Sequence, residues 1–346
     1  MQWIIPDHEY METMEKEVDP WLDALRKPKR ISREKNRIIS SESYRIPHSK
    51  GAVLISHGFT EAARKYHEVI YYFLKNGYDV HILDHCGHGN SYRLTGHECM
   101  VTVDDYRRYV EDLAFFARKI REEDPGKLLH LYCHSMGGGI GLQTAADYPA
   151  LFDSVIATSP MILPDTGILP GWAATALAGY MVLKGKGETF GLGQGPYAAE
   201  AFELSTSASR ERFDYYQVLR EANPLLQTCG ASWNWMRQAG LLNRALRKVP
   251  KKGMSCPVLL IQAELEAVVD NKASARFIRD LSKNSRAYLK VIKNARHEIY
   301  NSKAADLDPY WDTIFSFLET VQSEIQHGGI VSKKYLRPEQ KEEGTR

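Results

Sequence analysis

The sequence has no dominant sign of charge. Its 45 Lys and Arg against 43 Asp and Glu leave +2 over 346 residues, so no global field recruits nucleic acid or another polyanion. Cysteine is scarce and unpatterned. Cys86, Cys99, Cys133, Cys229 and Cys256 are odd in number and include no C-x-x-C pair, which argues against a disulfide framework or a zinc ribbon and for a reducing compartment. No hydrophobic run reaches the roughly 20 residues of a spanning helix; the longest uncharged stretch, 166–183, contains Pro170 and three glycines. The first twenty residues lack the basic and apolar regions of a secretory leader, so a soluble, cytoplasmic protein is expected. What is present is ordinary for a globular enzyme: 43% hydrophobic, 10% aromatic and 25% charged residues, enough to build a large core. The length fits two domains or one domain with an insertion.

Short apolar runs alternate with amphipathic segments. Strands are expected at 52–57, 79–85, 128–134, 154–160, 257–263 and 288–293, with helices at 65–76, 104–123, 137–148, 272–281 and 310–325. This rhythm predicts an α/β architecture: a mostly parallel sheet covered by helices on both faces. It breaks at 161–252, which is rich in aromatics such as Trp172, Tyr180, Trp233 and Trp235 and reads as an inserted helical cap. The core is then 41–160 plus 253–327. Residues 1–40 read as an N-terminal extension with one helix near Pro20 and a run, 26–37, in which seven of twelve residues are basic. That run is either a solvated linker or a patch steering the protein to anionic lipid. Residues 328–346 are polar and charged and are expected to be disordered.

Three segments carry chemistry. In LLHLYCHSMGGGIG an expected strand runs into Ser135 and is followed at once by Gly137, Gly138, Gly139 and a helix, the pattern of a nucleophile elbow, with Cys133 where G-x-S-x-G has its first glycine. In HGFTE, after the first core strand, His57 and Gly58 form a loop from which the Phe59 N–H could join that of Met136 as an oxyanion hole. Late in the chain, NARHEIYN supplies His297 as a base that can take and return a proton at neutral pH. Chain order then asks for an acid after the strand at 257–263, where Glu264, Glu266 and Asp270 stand. Glu266 ranks first because it leaves the strand promptly, Asp270 second, and Glu264 reads as a neighbouring carboxylate. The loop DHCGHGNS at 84–91 lacks the G-x-G-x-x-G of a phosphate cradle and reads as structural. His81, His85, His88 and His97 have no supporting carboxylate or cysteine spacing, so no metal is expected.

In order and spacing, HGFTE, DHCGHGNS, CHSMGG, VLLIQAELEAVVDN and ARHEIYN resemble the α/β-hydrolase family of monoacylglycerol lipases and bacterial lysophospholipases, over about residues 38–325. The lysophospholipase branch is the closer likeness, through the acidic Q-A-E-x-E…V-V-D-N stretch and the cap segment GASWNWMRQAG. The resemblance implies that Ser135, Glu266 and His297 are nucleophile, acid and base, and that the substrate is an ester with one long acyl chain, a lysophospholipid; the alternative is a monoacylglycerol lipase or broad carboxylesterase. No cofactor is implied. Cys133 departs from the family's usual Gly or Ala and is expected to alter elbow packing rather than abolish activity. Stretch 166–183 would sit at the mouth of an acyl tunnel and, with the basic run, touch an anionic membrane at its inner face. A non-catalytic ligand-binding relative on the same scaffold is the more distant alternative.

Overall fold

The computed structural model describes residues 4–167 and 169–327; the tail expected at 328–346 lies outside them. Eight strands form one sheet: β1 (Lys27–Glu34), β2 (Arg37–Tyr44), β3 (Gly51–Ser56), β4 (Tyr78–Leu83), β5 (Leu129–His134), β6 (Ser154–Thr158), β7 (Val258–Ala263) and β8 (Ala287–Ile292). Their order is β1-β2-β4-β3-β5-β6-β7-β8. β1 and β2 pair antiparallel, as do β2 and β4; the remaining neighbours are parallel.

Eleven α-helical segments accompany the sheet: α1 (Tyr10–Thr13), α2 (Asp19–Leu25), α3 (His67–Lys75), α4 (Arg107–Glu123), α5 (Ser135–Asp147), α6 (Gly171–Leu183), α7 (Arg210–Ala222), α8 (Trp233–Leu246), α9 (Val249–Lys252), α10 (Asn271–Leu281) and α11 (Ala304–Gln326). The central strands are buried on both faces, so they read as continuous apolar runs, and alternate residues serve opposite layers. Leu54, Leu131, Val155 and Leu260 join α4, α5 and α10 in one core. Val53, Ile55, Tyr132, Ile156 and Ile261 join α3, α11 and the N-terminal helices in the other. In α4 the buried Val110, Leu113, Ala114, Ala117 and Ile120 recur at helical spacing, the cause of its amphipathic fit to the sheet.

Between β6 and β7 the chain leaves the sheet and builds α6, α7 and α8. α8 lies on α5, where Leu242 and Leu246 approach the bare Cα of Gly139. α6 lies outermost against α8. The two backbones come close because a Cβ at Gly240 would meet Thr175 Oγ1 at 2.1 Å.

The basic run at 26–37 is corrected by the structure. It is not a linker but edge strand β1 and the turn into β2, so the sheet begins well before residue 41. Alternate side chains of β1 reach acids on α4: Lys29 meets Glu123 at 2.5 Å and Arg33 meets Asp112 at 2.6 Å. Arg26 pairs with Glu42 and Arg37 with Glu34. Four of the seven cations are thereby neutralised within the fold.

Candidate active site

β5 ends at His134, and Ser135 follows with φ +52°, a left-handed conformation that non-glycine residues seldom adopt. This bend sets Ser135 at the tip between strand and helix. It requires bare backbone behind it, since a Cβ on Gly137 would lie 2.1 Å from the Ser56 carbonyl oxygen. The Cys133 sulfur is accommodated in the same way: it lies against Gly141, where a Cβ would come within 2.8 Å of it, and its thiol donates to Ile156 O at 3.4 Å.

His297 stands in the loop after β8, and its Nε2 lies 2.8 Å from Ser135 Oγ. Its Nδ1 faces both carboxylate oxygens of Glu266, at 2.8 and 3.0 Å. Glu266 sits in the turn after β7, where Oε1 also accepts the N–H groups of Ala267, Val268 and Val269. Burial pushes this carboxyl up in pKa, but the His297 ring and the Val268 amide outweigh it and hold it below its ordinary range. An ionised Glu266 requires the Nδ1–H tautomer of His297, leaving Nε2 to accept the Ser135 hydroxyl proton. Asp270 does not join this group. It caps α10, accepting the Ala273 N–H at 2.9 Å. Glu264 accepts the Asn294 N–H at the surface.

The loop after β3 runs beside Ser135. His57 accepts the His85 N–H through Nε2 and donates from Nδ1 to Gly58 O, and Thr60 has φ +62°. The Met136 N–H is among the first of α5 and has no acceptor within the helix. The Phe59 ring packs on Trp235 of α8, centroids 4.2 Å apart. Asp84 ties the 84–91 loop through the N–H groups of Ala63 and Asn90. Among the described residues no three His, Cys, Asp or Glu side chains gather so as to hold a metal ion.

The sequence reading missed a buried charge cluster next to these groups. Glu61 accepts the Gly58 N–H at 2.6 Å and the hydroxyls of Tyr66 and Tyr300. Lys65 bridges Glu61 at 3.1 Å and Glu298 at 2.5 Å. Burial raises the Glu61 carboxyl, yet Lys65, His134 and the two tyrosine hydroxyls hold it well below the usual carboxylate range. Glu61 thus pins the backbone of the loop that carries Phe59. Its signal was the four-residue spacing to Lys65, visible in sequence but common on any helix surface.

Residues 47–304 match the Hydrolase_4 family, described as serine aminopeptidase, S33. The chain belongs to this family. The probable lysophospholipase L2 of Haemophilus influenzae is 30% identical over 72% of this chain and 78% of its own length. The human monoglyceride lipase is 29% identical over 72% and 76%. A crystal structure of a soluble variant of monoglyceride lipase from Saccharomyces cerevisiae, in complex with a substrate analog, is similar with a TM-score of 0.67 at 20% identity, covering 86% of this chain and 94% of that one. The architecture is the α/β-hydrolase fold, and the chain groups with the lysophospholipases and monoglyceride lipases, as its motifs implied.

Proposed function

We propose that the protein is a serine hydrolase that cleaves the carboxylic ester of a single-chain lipid, a lysophospholipid. The reading rests on the unbroken hydrogen-bond run from Ser135 Oγ through His297 to Glu266. Ser135, only 8% exposed, attacks the ester carbonyl as His297 Nε2 takes its proton. The Phe59 and Met136 N–H groups receive the oxyanion, with His57, Gly58 and Gly137 shaping the loops that present them. His297 returns the proton to the departing glycerol oxygen, and water then resolves the acyl-enzyme by the same route. Glu266 holds the ring's tautomer and stabilises the imidazolium.

Ser135→Ala is expected to abolish fluorophosphonate labelling and lower turnover by about 10³-fold or more. Glu266→Gln should cost about 10²–10⁴-fold, and Asp270→Asn less than about threefold; the reverse order would remove Glu266 from the role. A panel of lysophosphatidylethanolamine, monoacylglycerol, diacyl lipid and aminoacyl amide decides the substrate. Preference for monoacylglycerol favours the alternative that the human relative's name suggests, and preference for the amide favours the peptidase description of the family. Absence of labelling in folded wild type would sink hydrolase chemistry and leave the ligand-binding alternative.

No helix among the described residues is long and apolar enough to cross a membrane, so access to lipid is assigned to the cap. Trp172, Ala176, Tyr180 and Leu183 form one stripe of α6, and Trp172 and Leu183 are 74% and 87% exposed. An outward apolar stripe fits insertion among lipid headgroups. Arg237 of α8 lines the adjoining groove with Ala176, Gly179, Tyr180, Val182 and Leu183, supplying a cation beside the stripe. The double variant Trp172→Ser, Leu183→Ser should lose most of its co-sedimentation with phosphatidylglycerol vesicles. Neutralising Lys27, Arg30 and Lys35 should leave it nearly unchanged. Equal binding by wild type and the α6 variant would dismiss the assignment.

A further inference from the structure

Two cysteines that the chemistry above does not use meet where the cap touches the core. Cys99 lies between β4 and α4; Cys229 lies in the cap, four residues before α8. Their segments run side by side as a short parallel bridge between Val101 and Ala231. The Cys229 N–H donates to Cys99 O, the Val101 N–H to Gly230 O and the Ser232 N–H to Val101 O, each at 2.9 Å. Ser232 Oγ adds a bond to Thr102 Oγ1 at 2.8 Å. Adjacent strands lie about 4.7–4.9 Å apart, within the Cα separation of about 4.4–6.8 Å that a disulfide spans. The Cys229 sulfur is already 3.3 Å from the Cys99 carbonyl oxygen. Both thiols are free and partly exposed, whereas Cys86, Cys133 and Cys256 are buried.

We propose that Cys99 and Cys229 form a reversible thiol–disulfide site that, when oxidised, staples the approach to α8 onto the core. The oxidant class is a low-molecular-weight disulfide, RSSR. The Cys99 thiolate attacks one sulfur of RSSR, forming a mixed disulfide and releasing RS⁻. The Cys229 thiolate then attacks the Cys99 sulfur and releases the second RS⁻. The protein gives up two electrons and two protons, and RSSR leaves as two RSH. His97 Nδ1, 3.9 Å from the Cys99 sulfur, is placed to take the first proton. That neighbouring base makes Cys99 the attacking partner, while burial, and after it the Cys99 thiol, push the Cys229 thiol up; capture of Cys99 as a mixed disulfide removes the second of those causes. The staple acts on the helix whose Trp235 rests against Phe59, so it fixes the cap element that backs the oxyanion loop.

The test exposes the native full chain to oxidised glutathione, traps remaining thiols with iodoacetamide and maps peptides without reduction. The expected result is a Cys99–Cys229 linked peptide. With it come a Tm about 5 °C above the reduced protein, slower hydrogen exchange at 229–232, and reversal of all three by dithiothreitol. Cys99→Ser and Cys229→Ser should each abolish the shift while leaving the reduced protein's Tm within about 1 °C of wild type. Glutathione adducts on single cysteines without a cross-link, a different cross-linked pair, or no oxidation at all would overturn the site. A cross-link that leaves Tm and exchange unchanged would overturn the staple.

Discussion

At the scale of single residues, the elbow shows how a departure in one side chain is absorbed by the absence of another. Cys133 brings a Cβ and a sulfur into the place where the G-x-S-x-G pattern has its first glycine, and Gly141, nearly two turns into α5, has no side chain to meet them. A methyl at Gly141 would collide with Cys133 and also with Leu131 Cδ2 at 2.8 Å. Gly141→Ala is therefore expected to cost about 1–3 kcal/mol in urea unfolding despite better helix propensity. Adding Cys133→Ala should recover part of that loss, the Leu131 contact retaining the rest; additive effects of the two changes would refute the coupling. Ser135 was legible because a glycine-flanked strand end announces it locally, and His297 because chain order selects it after the last core strand. Glu266 was legible as the first carboxylate able to turn back. Lys65 with Glu298 was not, since partners 233 positions apart leave no local pattern.

At the scale of elements, the central strands β3 to β7 were legible because burial on both faces gives unbroken apolar runs, whereas the edge strand β8, exposed along most of its length, was legible from the run YLKVIK alone. β1 and β2 were not: they are an edge pair built mostly of polar residues with no clear alternation, and β1 carries lysines and arginines of the kind that protect sheet edges. The helix expected near Pro20 is α2, but the helical turns before it were hidden, and although Tyr10, Met14 and Val18 join the core, the ionic partners that hold this segment are distant in sequence. Arg212 of α7 has a fully buried guanidinium that grips Glu68 of α3 and Asp7 and lies over the Tyr10 ring at 4.5 Å. A second clasp joins Asp19 of α2 to Arg64, His67 and Tyr215 of α7. One side of the cap is therefore bolted to the core, while α6 has only Ala178 buried. Arg212→Leu leaves two carboxylates without their cation and is expected to cost about 3–5 kcal/mol of stability, read as a lowered urea midpoint. A loss below about 1 kcal/mol would show that α7 is held by packing alone.

At the scale of the whole molecule, acid sensitivity follows from buried histidines rather than from the modest net charge. His81, His130 and His134 are each pushed down to about 4, in every case chiefly by burial. Charges facing them act less strongly: Arg45 and Asp79 at His81, Asp153 and Arg121 at His130, Glu61 and His297 at His134. In the unfolded chain these rings protonate near pH 6.5. Stability is thus fully present above about pH 6.5 and is lost as pH falls toward 4, by about 1.4 kcal/mol per pH unit for each ring. Tm should drop steeply between pH 6.5 and 5, before most carboxylates titrate, and His130→Leu should flatten the slope. A Tm constant across that range would contradict the account.

The clasp at Asp7 also bears on when the fold can close. Asp7 accepts the Ala304 N–H at the start of α11, 297 positions further along the chain, and needs Arg212 on the way. A ribosome adding about 5–20 residues per second takes about 15–60 s to deliver that last partner. Asp7 therefore stays without this partner until the 297 residues that separate it from Ala304 have been made, so the clasp can close only after the whole of that span has emerged.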